Sequence, residues 1–67
     1  MTWQKAMAID RAYSAERCIQ WAAEDYQTLI FNLNSGFIET ASVVLSSLLS
    51  NLQHASVWWK LAKELDD

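Results

Sequence analysis

The chain contains no proline and one glycine, Gly36, which lies near its midpoint in the turn-forming run "NLNSG", Asn32–Gly36. Proline and glycine are the strongest punctuation a chain carries. With a single mark in 67 residues, the polypeptide has one place to reverse and two long segments that nothing interrupts. That points to an all-α chain of two antiparallel helices, because a short loop between helices makes them neighbours in space.

The residues on either side agree. The N-terminal half is rich in Ala, Gln, Glu and Arg, all adequate or good helix formers. Thr2 is placed to cap the first helix. Apolar or small residues recur at Ala8, Ala12, Ala15, Ile19, Ala22, Tyr26, Leu29 and Leu33, at alternating spacings of 4 and 3. This is an unbroken heptad seam. The second half repeats it with Ile38, Ala41, Leu45, Leu48, Leu52, Ala55, Trp59 and Ala62. Gly36 suits the left-handed conformation that ends a helix. Asn34 or Ser35 is placed to cap the next helix, and Glu39 falls in its first turn, where the helix dipole favours an anion. The expected organisation is one domain over 1–67: helix 2–33, turn 34–36 and helix 37–65. Folding about the turn sets Tyr26 near Leu45, Ala22 near Leu48, Ile19 near Leu52 and Ala12 near Trp59. Small residues then oppose large ones, as interdigitating layers require.

Near the C-terminus the pattern shifts. Trp58, Leu61 and Leu65 form a stripe rotated by over a third of a turn from the seam. Either the second helix bends near 54–56, or a short third helix begins there. Adjacent tryptophans on one helix diverge, so Trp59 is assigned to the seam and Trp58 to a partner.

Thr40–Trp59 carries no Asp, Glu, Lys or Arg. A membrane span would need about twenty predominantly apolar residues, whereas nearly half of these side chains are Ser, Thr, Asn, Gln or His. The alternative is a helix covered by protein on more than one side. Ser42, Ser46 and Ser50 form a row beside Val43, Leu49 and Val57. Small residues admit close approach, and a serine hydroxyl can bond a carbonyl one turn back. These residues are therefore the expected interface of a homodimer, a four-helix bundle of two hairpins. A dimer also answers the problem of size, because a core below about 70–80 residues rarely contributes more than roughly 3–5 kcal/mol. The single cysteine, Cys18, rules out an internal disulfide, and one histidine, His54, leaves a poor set of structural zinc ligands. In layout alone such a dimer resembles the plasmid repressor-of-primer hairpins. No motif is shared with them, the basic RNA-binding face of that family has no counterpart here, and no function carries over.

The net charge of −3, with both signs intermixed, argues against a nucleic-acid partner and against an anionic membrane surface. No signal peptide is legible, and a free thiol fits a reducing compartment, so the expected location is the cytoplasm. No cofactor or metal is expected. Catalysis has little support. Glu24 and Asp25 are adjacent and diverge on a helix. Cys18 and His54 approach across the hairpin but lack an orienting third residue or an oxyanion hole. What stands out is aromatic. Trp3 and Trp21 fall opposite the first seam, and Arg17 lies one turn from both Tyr13 and Trp21, able to stack on either ring. Large aromatics away from a core anchor protein interfaces. Trp3, Tyr13, Arg17, Trp21, Trp58 and Leu61 are thus the expected partner-binding residues. The functional expectation is a small non-enzymatic interaction protein, acting as inhibitor, adaptor or regulator. A structural subunit of a larger complex is the alternative, and a small membrane-associated protein a second one.

Overall fold

The computed structural model describes residues 2–66 and is all-helical, with α1 at Trp3–Asn34 and α2 at Ile38–Asp66. Met1 and Asp67, included in the expected domain, lie outside the described residues. The two helices pack along their length as a hairpin. A 32-residue helix is about 48 Å long, and the Cα extents are 51 × 14 × 11 Å. The hairpin is therefore a straight rod, one helix long and two helices wide. α2 continues through His54–Ser56; neither a third helix nor a break is present there.

Each end of α1 is closed by its own residues. The Lys5 amide donates to Thr2 Oγ1 at 3.2 Å, which satisfies one of the orphan donors of the first turn. At the other end Phe37 N–H donates to the Asn32 carbonyl at 2.8 Å and Gly36 N–H to the Leu33 carbonyl at 3.1 Å. This pair of bonds is a Schellman motif, which needs a left-handed residue after the cap. Gly36 supplies it, at φ 78°. Ser35 is consequently the C-cap of α1, and Asn34 is its last residue. Neither caps α2, whose first turn instead closes on the Phe37 carbonyl, accepting from Ala41 N–H at 2.9 Å. The chain has no residues to spare between the two caps, so one set of hydrogen bonds ends α1 and aims α2.

The packed edge differs from the expected seam by one residue in every other position. In heptads with Ala8 and Ala41 at a, most of the buried or half-buried residues of α1 are Ala8, Ala15, Ala22 and Leu29 at a, and Arg11, Cys18, Asp25 and Asn32 at d. In α2 they are Ala41, Leu48, Ala55 and Ala62 at a, with Val44, Asn51 and Leu65 at d. The a half of the expected seam is present. The other half sits at e: Ile19, Tyr26, Leu33, Ile38, Leu45, Leu52 and Trp59 are exposed, and Ala12 is half-buried. The same offset removes the apparent shift near the C-terminus. Trp58 and Leu65 are the continuation of the real edge, so no bend is needed to place them. Trp58 is 38% exposed and Trp59 56%; both are open, and Trp59 is not buried in its expected seam.

Polar residues tolerate the d positions because each finds a partner. Asp25 Oδ2 accepts from Ser47 Oγ at 2.8 Å and from Asn51 Nδ2 at 2.9 Å. Those donors bracket Leu48, which sets Asp25 level with it and Ala22 level with Asn51, one turn from the expected pairing with Leu48. Arg11 reaches the Leu61 carbonyl at 3.4 Å. Asn32, buried, donates to the Thr28 carbonyl of its own helix at 2.8 Å. Among the described residues no buried side-chain nitrogen or oxygen lacks a hydrogen-bond partner.

Candidate interaction surfaces

Apart from Cys18, every buried apolar residue is an alanine: Ala8, Ala15, Ala22, Ala41, Ala55 and Ala62. A methyl group contributes about 0.8 kcal/mol when buried, and a whole Leu, Ile or Phe side chain about 1.5–3 kcal/mol. The hairpin thus spends its small side chains on its own contact and leaves its large ones outside. Where those large residues stand divides the surface into three parts.

The first is the side of the rod made by the e positions of both helices. In an antiparallel pair the e positions of the two helices fall on the same side, and the grooves of the structure show it. One open groove brings Ile9, Ala12 and Ile19 of α1 together with Trp59 of α2, with Tyr13 and Glu16 at its outer margin. Its neighbour is lined by Ala8, Ile9, Ala12, Trp59, Ala62 and Lys63. Tyr26, Leu33, Leu45 and Leu52 continue the row toward the turn, and all four are exposed. From Ala12 to Leu33 in α1 and from Ile38 to Trp59 in α2 no e residue is charged; Lys5, also at e, stands at the open end of the rod. This surface escaped the sequence reading because its residues were assigned to the helix contact. The signal against that assignment was the spacing of the alanines alone, which recur every seventh residue at 8, 15 and 22 and mark the tight edge.

The second part is the opposite side, made by the d and g positions. It carries the Asp25–Ser47–Asn51 cluster and the Arg11–Leu61 bond, with Ser14, Thr28, Thr40 and His54 around them. Trp21, Met7 and Trp58 are exposed apolar residues on this side.

The third part is the outer surface of each helix. Trp3 and Tyr13 are 68% and 62% exposed. Tyr13 and Arg17 line a shallow hollow with Glu16 and Gln20. Of the residues expected to bind a partner, Trp3, Tyr13, Arg17 and Trp21 are therefore on open surface. Trp58 is the least exposed of the four tryptophans, and Leu61 is half-buried with its carbonyl engaged by Arg11; both lean toward the helix contact because they occupy d and g. On α2, Ser42, Val43, Ser46, Leu49, Ser50 and Val57 are all exposed. Ser46 Oγ donates to the Ser42 carbonyl at 3.3 Å, the back-bond that lets a serine row present little free polarity.

Asp25 is held in the helix contact, Glu24 is exposed, Cys18 is buried and His54 is exposed. Among the described residues no group of three or more His, Cys, Asp or Glu is arranged to hold a metal ion, and no helix is long and apolar enough to cross a membrane. In comparison with known proteins, no family model matches the chain, and no curated protein or solved structure matches it.

Proposed function

We propose that the chain is a non-enzymatic protein–protein interaction module that works as a homodimer and docks its outer aromatic surface on a partner protein, as an inhibitor, adaptor or regulator. The observation that carries this reading is the inversion of the core. Alanines are buried while Ile19, Tyr26, Leu45, Leu52 and Trp59 stand open. Scattered exposed apolar residues are ordinary, whereas a contiguous apolar surface running the length of a molecule is the mark of an interaction site. The docking surface would be the outer ridge of α1, where Trp3, Tyr13, Arg17 and Trp21 combine large rings with a cation, the residue types that dominate binding energy at interfaces.

Light scattering on the purified chain tests the first half of the reading: the expected mass is twice that of one chain. Trp3→Ala and Trp21→Ala test the second. Both side chains are at least half exposed, and surface substitutions usually fall within about 0.5 kcal/mol. Each variant should therefore keep its helicity and its melting temperature to within about 4 °C, while losing capture of the partner. A collapse of the fold in both variants would return these tryptophans to the core.

A further inference from the structure

We infer that the apolar e side of the hairpin is the dimer interface, covered by the same side of a second copy of this chain, so that four helices share one core built from positions a and e. This rests on the dimeric reading above and names the face that the dimer uses.

The direction of the apolar stripe carries the argument. At 100° per residue, with a at 0°, d lies at 300° and e at 40°. The packed edge of each helix, a and d, is therefore centred at about 330°, and the apolar stripe, a and e, at about 20°. The stripe is rotated from the neighbouring helix by about 50°, toward the same side of the rod in α1 and in α2. A helix with one neighbour should aim its stripe at that neighbour. A helix in a four-helix bundle has two neighbours roughly at right angles, and its stripe should bisect them, about 45° from each. The observed rotation matches the second case. It also explains why d tolerates Arg11, Asp25, Asn32 and Asn51, since those positions then lie at the outer margin of the bundle.

The area agrees. A compact monomer of 7.7 kDa exposes about 4,300 Å². The hairpin exposes 5158 Å². The excess of roughly 800 Å² is about what one partner contributes to a standard-sized interface. The occupant is a second copy because the face must be matched by an apolar, two-helix surface of equal length, and this chain presents one, from Ala12 to Leu33 and from Ile38 to Trp59. Stacked about a two-fold axis, the same patch serves both sides. The serine row is not part of this contact: Val43, Ser50 and Val57 at c point about 180° from the a/e stripe.

Oxidative footprinting of the native chain tests the assignment. In a lone hairpin Tyr26 and Trp59 are 53% and 56% exposed, close to Phe31 and Trp3, both at c, at 64% and 68%, so the four should label at similar rates. The dimer predicts that Tyr26 and Trp59 label several-fold more slowly, and recover on dilution to the monomer. A matched pair of variants provides a second arm, read by light scattering. Leu52→Glu should halve the mass, and Val43→Glu should leave it doubled. A dimer whose Tyr26 and Trp59 label as fast as Phe31 and Trp3 would overturn this face while leaving the dimeric module standing. So would a Val43→Glu monomer. A native chain that is monomeric at tens of micromolar would overturn both. Should Leu52→Glu fail to fold, the footprint of the unaltered chain decides alone.

Discussion

The two sides of the rod are built from the same pair of helices and differ in one respect. On the d/g side every polar group that enters the helix contact is answered across or along the hairpin: Asp25 by Ser47 and Asn51, Arg11 by the Leu61 carbonyl, Asn32 by the Thr28 carbonyl. On the e side nothing is answered. Its residues are large, apolar and exposed, from Leu33 and Leu45 near the turn to Trp59. The first side is finished by the chain itself and the second is not. The comparison shows that burial and apolarity are separate properties of a helix face. The tight contact here is made by the smallest side chains, which release the larger ones for a different contact.

The sharpest way to break that comparison is to enlarge one alanine on each side. Ala15, at a, is 1% exposed. Ala12, at e, is half-buried and faces the open groove. Adding a leucine side chain to a packed site costs about 1–3 kcal/mol, and more where two helices must separate along a rigid edge. Ala15→Leu should therefore lower the thermal midpoint by about 10–20 °C, since 1 kcal/mol corresponds to about 4–8 °C in a chain of this size. Ala12→Leu, compared in the chain diluted to the monomer, should leave the midpoint within a few degrees. Equal losses in thermal circular dichroism would mean that the e side is as tightly packed as the a/d edge, and the contrast would fall.

A smaller effect is expected from the polar side. Asp25→Ala leaves the donors of Ser47 and Asn51 without their shared acceptor. Ser47 is exposed and can turn to water, whereas Asn51 is half-buried. An unanswered donor of that kind costs about 1–2 kcal/mol. Asp25→Asn, which retains a carbonyl oxygen at the same place, should recover most of the loss. Urea denaturation of the three proteins reads the difference directly. If Asp25→Ala were neutral, the bonds seen there would be incidental to the hairpin, and the alanine edge alone would hold it.

The sequence made the helices, the turn and the pairing of the two segments legible because those depend on local chemistry. Gly36 is the sole break, Thr2 is a capping residue, and alanines at 8, 15 and 22 repeat with the heptad. It did not reveal which edge packs. A heptad stripe read by apolarity selects a and e, since Ile19, Tyr26, Leu45 and Leu52 are apolar and Arg11, Asp25, Asn32 and Asn51 are not. The rank of a side chain on a transfer scale says that it leaves water. It does not say which neighbour covers it, and in this hairpin different neighbours are at issue for a/d and for e. The exposed positions of Trp3 and Trp21 followed from the same angular count because both lie well away from the apolar stripe, where an offset of one residue changes little. Trp58 and Trp59, on either side of the boundary between d and e, were the pair most sensitive to that offset: Trp59, expected in the seam, is the more exposed of the two.

The smallest expected effect tests whether the turn contributes to the difference between the sides or only joins them. Gly36 has φ 78°, and a Cβ built on it meets nothing within 4 Å. The cost of Gly36→Ala is therefore torsional, without a clash. A left-handed conformation costs an L-residue about 1–2 kcal/mol, and the exposed turn has room to relax toward the lower end. The thermal midpoint should fall by about 4–8 °C, while the mass in solution and the relative labelling of Tyr26 and Trp3 stay as they were. The reason is geometric. The Schellman bonds from Phe37 and Gly36 fix where α2 starts, but the rotation of each stripe is set by which residues occupy a, d and e along the whole length of the rod. If Gly36→Ala instead changed the labelling ratio at constant helicity, the turn would be choosing which side of the hairpin stays open, and the asymmetry would originate in three residues of loop rather than in the heptads.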